Sequence, residues 1–290
     1  MNLRPSGVYR TVVAAAYAAL VLAVAAASAA ETDTERLATL AREFSDPLTT
    51  LPQFFLQDAY TPANHGTDAQ TNRVVARLIV PRIPRFTLLP FVQLVRPSLF
   101  LVTVPTGKGA ATRTELGDMQ LFDLFVLPWP TAKSGLRVGV GPTFVFPTAT
   151  DKAAGQEAWQ LGPALGAVYK AFPRLLLGTL VQSPIAFAYT SSEHRTRNVV
   201  TVQPAILLQV VGGWYVKSAD ASWTLGWERG APTILPLSLG VGHVTVREGW
   251  PPLNVFVSGE WIAYRHNAPT APEATVRFGM TVAFPNWRAW

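Results

Sequence analysis

Four histidines and no cysteine limit what this 290-residue chain could do by catalysis. The histidines are His65, His194, His243 and His266, and three of them, His65, His194 and His266, fall in expected loops. A nucleophilic hydrolase needs a serine or cysteine activated by a base that a third group orients. None of these histidines has a nucleophile beside it in a recognisable motif. Without cysteine, and with scattered histidines, no metal-ligand set forms. The glycine-rich runs "GVGP" and "LGVG" lack the lysine that completes a phosphate loop. The chain is therefore read as a non-enzyme with no cofactor and no metal.

The remaining polar chemistry is unusual in its setting. Arg73, Arg77, Arg96, Asp118, Gln160, Gln182, Gln203, Glu260 and Arg277 each interrupt an otherwise apolar, alternating stretch. In "LRVGVGPTFVF", residues 136–146, the even positions are Leu, Val, Val, Pro, Phe and Phe, and the odd ones Arg, Gly, Gly, Thr and Val. Successive side chains of a strand point to opposite faces, so this segment has one greasy face and one small, wet face. "WQLGPALGAVY", "LPLSLGVG" and "TVRFGMTVAF" repeat the pattern. A solvated sandwich face would favour Lys, Glu and Thr. A face of Gly, Ala, Ser and Gln suits a narrow lumen instead.

Targeting and composition agree. Arg4 and Arg10 precede an apolar stretch, 11–26, and the small residues Ala27-Ser28-Ala29-Ala30, the pattern of a secretory signal peptide cleaved near residues 29–30. Without Arg4 and Arg10, 22 basic residues stand against 18 acidic ones. That small excess, with no basic helix, argues against a nucleic-acid partner. Beyond residue 30 no apolar run reaches the roughly 20 residues of a membrane helix, yet 49% of the chain is hydrophobic.

The expected fold is all-β: a closed antiparallel transmembrane β-barrel of about 12 strands over 47–290. A short periplasmic helical segment at 31–46, with Leu37, Leu40, Ala41 and Phe44 on one face, precedes it. Strands are expected near 50–60, 71–81, 88–104, 115–128, 135–148, 157–170, 174–189, 198–211, 214–228, 233–247, 252–265 and 274–285. Prolines at 142, 163, 184, 204 and 236 should mark bulges or bends. Longer polar loops alternate with tighter turns, as in outer-membrane barrels. Trp129, Trp159, Trp214, Trp227, Trp250, Trp261 and Trp287 lie near strand ends, where an aromatic girdle meets lipid headgroups. The bacterial outer membrane, its lipid and its barrel-assembly machinery are the implied surroundings.

The nine polar residues then line the lumen. Two readings stay open: they border a path for a small-molecule solute, or they form internal pairs in a filled structural or surface-binding barrel. An outer-membrane hydrolase is a lesser alternative. Arg73, Arg77 and Arg96 would want an anion or acidic partners. Asp118 and Asp123 are on the next strand in opposite phase, so one of them faces lipid unless a bulge intervenes. Glu260 and Arg277 come out nearly opposite each other on the inner face.

"GDMQLFDLFV", "GVGPTFVFPTATD", "WQLGPALGAVY", "VQSPIAFA", "VQPAILLQ", "GGWYV", "PLSLGVGHV" and "VRFGMTVAFP" resemble, in order, a bacterial outer-membrane family labelled for the "MetA pathway" of phenol degradation. Its members are often labelled transporters or neuromedin U. The resemblance covers about residues 46 to 285 and implies a barrel with a transport role, with hydrophobic or aromatic compounds as solutes. It supplies no catalytic set. Asp46-Pro47 stands where such proteins more often carry Asn-Pro, and Asp220-Ala221 replaces a commoner acidic-Pro pair.

Overall fold

A computed structural model of the chain describes residues 31–67, 69–81, 92–106, 111–128, 135–172, 174–192, 198–218 and 220–285, with no side-chain detail at 31–34 and 81. The signal segment at 1–30, Trp129, Trp287 and His194 lie outside these residues.

A helix, α1 (Glu31–Ser45), leads into twelve antiparallel strands. They are β1 (Gln53–Asn64), β2 (Thr71–Pro81), β3 (Val92–Pro105), β4 (Thr112–Leu116 and Met119–Val126), β5 (Leu136–Phe146) and β6 (Ala158–Tyr169). Then come β7 (Leu175–Gln182 and Ile185–Tyr189), β8 (Val199–Gln209), β9 (Trp214–Lys217 and Trp223–Gly226), β10 (Thr233–Thr245), β11 (Leu253–His266) and β12 (Pro272–Ala283). Each strand pairs with its neighbours in sequence, and β12 pairs with β1 from Gln53↔Ala283 to Asn64↔Pro272. The sheet is thus a closed barrel without free edges.

The alternation sets the two faces. Leu161 and Leu165 of β6, Leu237 and Leu239 of β10, and Phe278 and Met280 of β12 are all exposed on the outside. Their inward neighbours are small because the interior is already occupied. A Cβ added at Gly139 or Gly166 would stand 2.8 or 2.6 Å from Leu48 Cδ2. Leu48 follows α1 and is fully buried. Around it Ala41, Leu94, Leu124, Val168, Leu176, Leu207 and Val244 form one apolar cluster, and Leu37, Leu40 and Phe44 of α1 pack against it. The helix is therefore not a segment beside the barrel. Its apolar stripe fills the lumen at the end where β1 begins, called here the proximal end.

Three ion pairs hold this plug. Lys170, after β6, contacts Glu43 at 2.7 Å and Asp46 at 2.5 Å, and Arg137 of β5 contacts Asp46 at 3.2 Å. The Asp46 side chain is fully buried. Burial is the larger influence on it, so its carboxyl sits above the usual range despite both cations. Burial, the largest single influence, pushes Glu43 up, but Lys170, the Thr49 hydroxyl and Arg137 together hold it below the usual range.

Prolines mark the irregularities in the wall. A proline gives no N–H to a ladder, so the neighbouring strand loses a partner. Pro142 pairs with Pro163 in the unbroken β5–β6 ladder, but on its other side the β4–β5 ladder is interrupted between Phe122↔Thr143 and Phe125↔Val140, with no change of register. Pro163 stands opposite the Ser183-Pro184 break in β7. Pro204 stands where β9 breaks, between Val202↔Trp223 and Leu207↔Lys217. Pro236 coincides with a register shift against β11. The break opposite Pro204 matters most, because it carries a side chain into the lumen.

Candidate functional site: a charged belt inside the barrel

Distal to the apolar plug, the inner wall changes character. Arg73 and Arg77 of β2 and Arg96 of β3 lie on the inner face. Each guanidinium sits over a phenylalanine ring of the same wall: Arg73 over Phe100 at 4.1 Å, Arg77 over Phe55 at 5.0 Å and Arg96 over Phe122 at 3.7 Å. Across the lumen, Lys217 of β9 sits 3.5 Å from the centre of the Phe256 ring. Such contacts hold a cation flat against an apolar surface and leave its edge free to donate. Arg77 Nε donates to Ser98 Oγ at 3.0 Å, which fixes one edge. Arg96 is only 7% exposed, and its Nε has no hydrogen-bond partner among the described residues. Arg73 is enclosed by the wall yet exposed to the lumen.

Two carboxylates face these cations. Arg277 of β12 donates to Glu260 Oε2 of β11 from Nε at 3.0 Å and Nη2 at 2.6 Å, and to Gln57 Oε1 at 3.4 Å. In register Arg277 faces Ser258 and Glu260 faces Thr275, so the pair is a diagonal one. The second carboxylate is Asp220. It accepts from Lys217 Nζ at 3.1 Å, Gln57 Nε2 at 3.2 Å and Gln203 Nε2 at 3.4 Å. It also attracts Arg77 and Arg96. The belt therefore holds five cations, Arg73, Arg77, Arg96, Lys217 and Arg277, against two carboxylates, an excess of three positive charges.

Neither Lys217 nor Asp220, noted above only as part of the Asp220-Ala221 pair, is among the residues expected to line the lumen. A continuous strand over 214–228 hides the break that turns Asp220 inward. The available signal was Pro204 on the partner strand together with the polar run "KSADAS". Ser218 closes the gap, receiving Ile206 N–H at 3.0 Å and donating to Pro204 O at 3.2 Å.

The acidic partners expected on β4 do not serve the arginines. Asp118 lies in the interruption of β4, and its carboxylate accepts the N–H groups of Ala149 at 3.1 Å and Gln156 at 2.6 Å. Thr148 and Thr150 hydroxyls accept Met119 and Leu116 N–H groups at 2.8 and 3.1 Å. The "GD" and "PTATD" motifs thus tie the 147–157 loop to the distal rim, and Asp118 belongs to that latch rather than to the belt. Asp123 is on the outer face, where it receives Gln93 Nε2 at 2.5 Å. Gln160 is buried on the inner face of β6, and Gln182 of β7 accepts from Thr143 at 3.2 Å. Among the described residues neither makes a hydrogen bond to an arginine of the belt.

Of the tryptophans, Trp159, Trp227, Trp250 and Trp261 are exposed, and Trp214 packs at a tilt of 51° against His243, 4.6 Å between ring centres. At the proximal mouth a recess of about 1420 Å³ runs beside the helix, bordered by Arg36, Leu37, Gln53, Val244 and the β10–β11 turn.

No family model matches the sequence, and no curated protein is similar to it. The fold is similar to an outer-membrane channel from Pseudomonas putida F1, with 10% identity, a TM-score of 0.58, and 83% of this chain and 98% of that one covered. The KdgM porin in complex with oligogalacturonate follows with 6% identity, a TM-score of 0.48 and coverage of 80% and 99%. At 10% identity the likeness to the Pseudomonas putida channel concerns architecture: a closed, antiparallel, twelve-stranded barrel of the outer-membrane type.

Proposed function

We propose that the protein is an outer-membrane channel for small molecules, with its proximal end in the periplasm and a positively charged belt as the selective part of its path. The observation that carries this reading is the excess of three positive charges inside a closed wall. Charges in a membrane-spanning segment are costly unless they face water or one another. Arg277 has Glu260, but Arg73 is exposed to the lumen, as a water-filled path requires. A positive belt between low-dielectric walls focuses its field and favours anions. The exposed apolar outer face suits lipid, and the recess beside α1 offers an exit. The signal segment and the barrel-assembly machinery belong to the same reading. So does passage of hydrophobic or aromatic compounds, which rests on the motif resemblance alone.

A second reading is favoured by the apolar cluster around Leu48. It makes the barrel a cup that binds solute from outside and passes nothing. Planar-bilayer recording separates the two. The channel reading expects small, anion-preferring conductance that loses its preference when Arg77 and Arg96 are both changed to Gln. A silent wild type that conducts once residues 31–45 are deleted favours the cup. Conductance without ion preference, unchanged by the double substitution, overturns the assignment of these arginines to the path.

A further inference from the structure

We infer that the belt is a carboxylate-binding site in which Asp220 is a tethered competitor of the solute. This deepens the reading of a charged lumen and rests on it. Asp220 is carried inward by the break in β9, and three donors from three other places on the wall meet it: Lys217, Gln57 and Gln203. The chain itself thus shows what the belt accepts, a singly charged, planar, forked oxyanion.

Its hydrogen bonds are long, 3.1 to 3.4 Å, and its side chain is 28% exposed. Such contacts are easily exchanged. Within its field, Arg96 Nε is buried with no hydrogen-bond partner among the described residues, and the guanidinium carbon sits 3.7 Å from the centre of the Phe122 ring, which leaves the guanidinium edge to donate. A guanidinium edge matches a carboxylate in two parallel hydrogen bonds. An incoming carboxylate can therefore bind the Arg96 and Arg77 edges while Asp220 releases part of their field. A dianion suits the place less well, because Asp220 remains close and repels the second charge.

Titration calorimetry of the purified barrel in detergent tests this with sodium acetate as the probe and equimolar sodium chloride as the control. Binding in micelles needs no conductance, so a silent barrel that binds acetate fails only the channel reading, and a conducting one that does not fails only this proposal. The expected result is saturable one-to-one acetate binding not reproduced by chloride. Asp220→Ala should tighten it about tenfold, and Arg96→Gln should weaken it at least tenfold. Each variant must keep its heat-modifiable migration on gels; if Arg96→Gln does not fold, Arg77→Gln replaces it. Absent saturation in the wild type, equal displacement by chloride, or acetate affinity untouched by both Asp220→Ala and the arginine change overturns the proposal.

Discussion

Changing Glu260 to Gln should destabilise the barrel more than changing Arg277 to Gln, although the two residues form one pair. Both are largely buried, with side chains 7% and 17% exposed. Breaking such a pair by removing one partner costs about 3–5 kcal/mol, because the other charge stays behind. The surroundings make the two losses unequal. Losing Glu260 raises the belt's excess from three positive charges to four, and Arg277 also repels Arg73. Losing Arg277 lowers the excess to two and leaves Glu260 among the remaining cations. Arg277 on β12 and Arg73 on β2 are two strand spacings apart, about 10 Å. At an effective dielectric constant of about 20 each such like-charge contact costs about 1.7 kcal/mol. Glu260→Gln should therefore cost about 2 kcal/mol more than Arg277→Gln, and the double variant less than the sum of the two. The measurement is urea unfolding in mixed micelles, followed by loss of the compact gel form. Equal costs, or a larger one for Arg277→Gln, would refute the electrostatic account of the belt, and strict additivity would refute the pair.

Lys170→Met should loosen α1, because among the described residues Asp46 would keep only Arg137 as a cationic partner; faster proteolysis within 31–45 is the readout. The same protection should respond to pH through two opposing contributions rather than a single acid-induced loss. The raised Asp46 contributes stability below its unfolded value of about 3.9 that is lost as pH rises through the folded one. The lowered Glu43 contributes stability above about 4.3 that is lost as pH falls through the folded one, so the two trends oppose. A steep loss on acidification would contradict this arrangement. Gly141→Ala should cost more than Gly139→Ala in urea unfolding. The new Cβ at 141 overlaps the Asp123 backbone carbonyl, whereas at 139 it meets the movable end of Leu48. Tyr215→Phe should cost about 1–3 kcal/mol in the same assay, since the Tyr215 hydroxyl donates to buried Asn254 Oδ1 at 2.6 Å.

Strand number and facing were legible in the chain because both are local. Alternation along 136–146 assigns Val140 outward and Gly139 inward with no knowledge of neighbours, and the structure agrees. Twelve such segments of membrane-crossing length leave little choice but closure. The inward phase of Arg73, Arg77, Arg96, Glu260 and Arg277 was read the same way. What those side chains meet was not legible, because it depends on contacts far apart in sequence. Gln57 and Asp220 are 163 residues apart, and only barrel closure brings β1 across from β9. Asp220 turns inward because Pro204, on another strand, gives β9 no partner there. Asp118 binds the 147–157 loop because β4 is interrupted beside it. The apolar stripe of α1 shows in the sequence as a helix face needing cover, but a stripe does not say what covers it. The small residues at 139 and 166 leave room inside the wall, and Leu48 and the helix fill it. Periodicity thus decided the wall, and the contents of the lumen were decided by which distant side chains a closed wall brings within reach of one another.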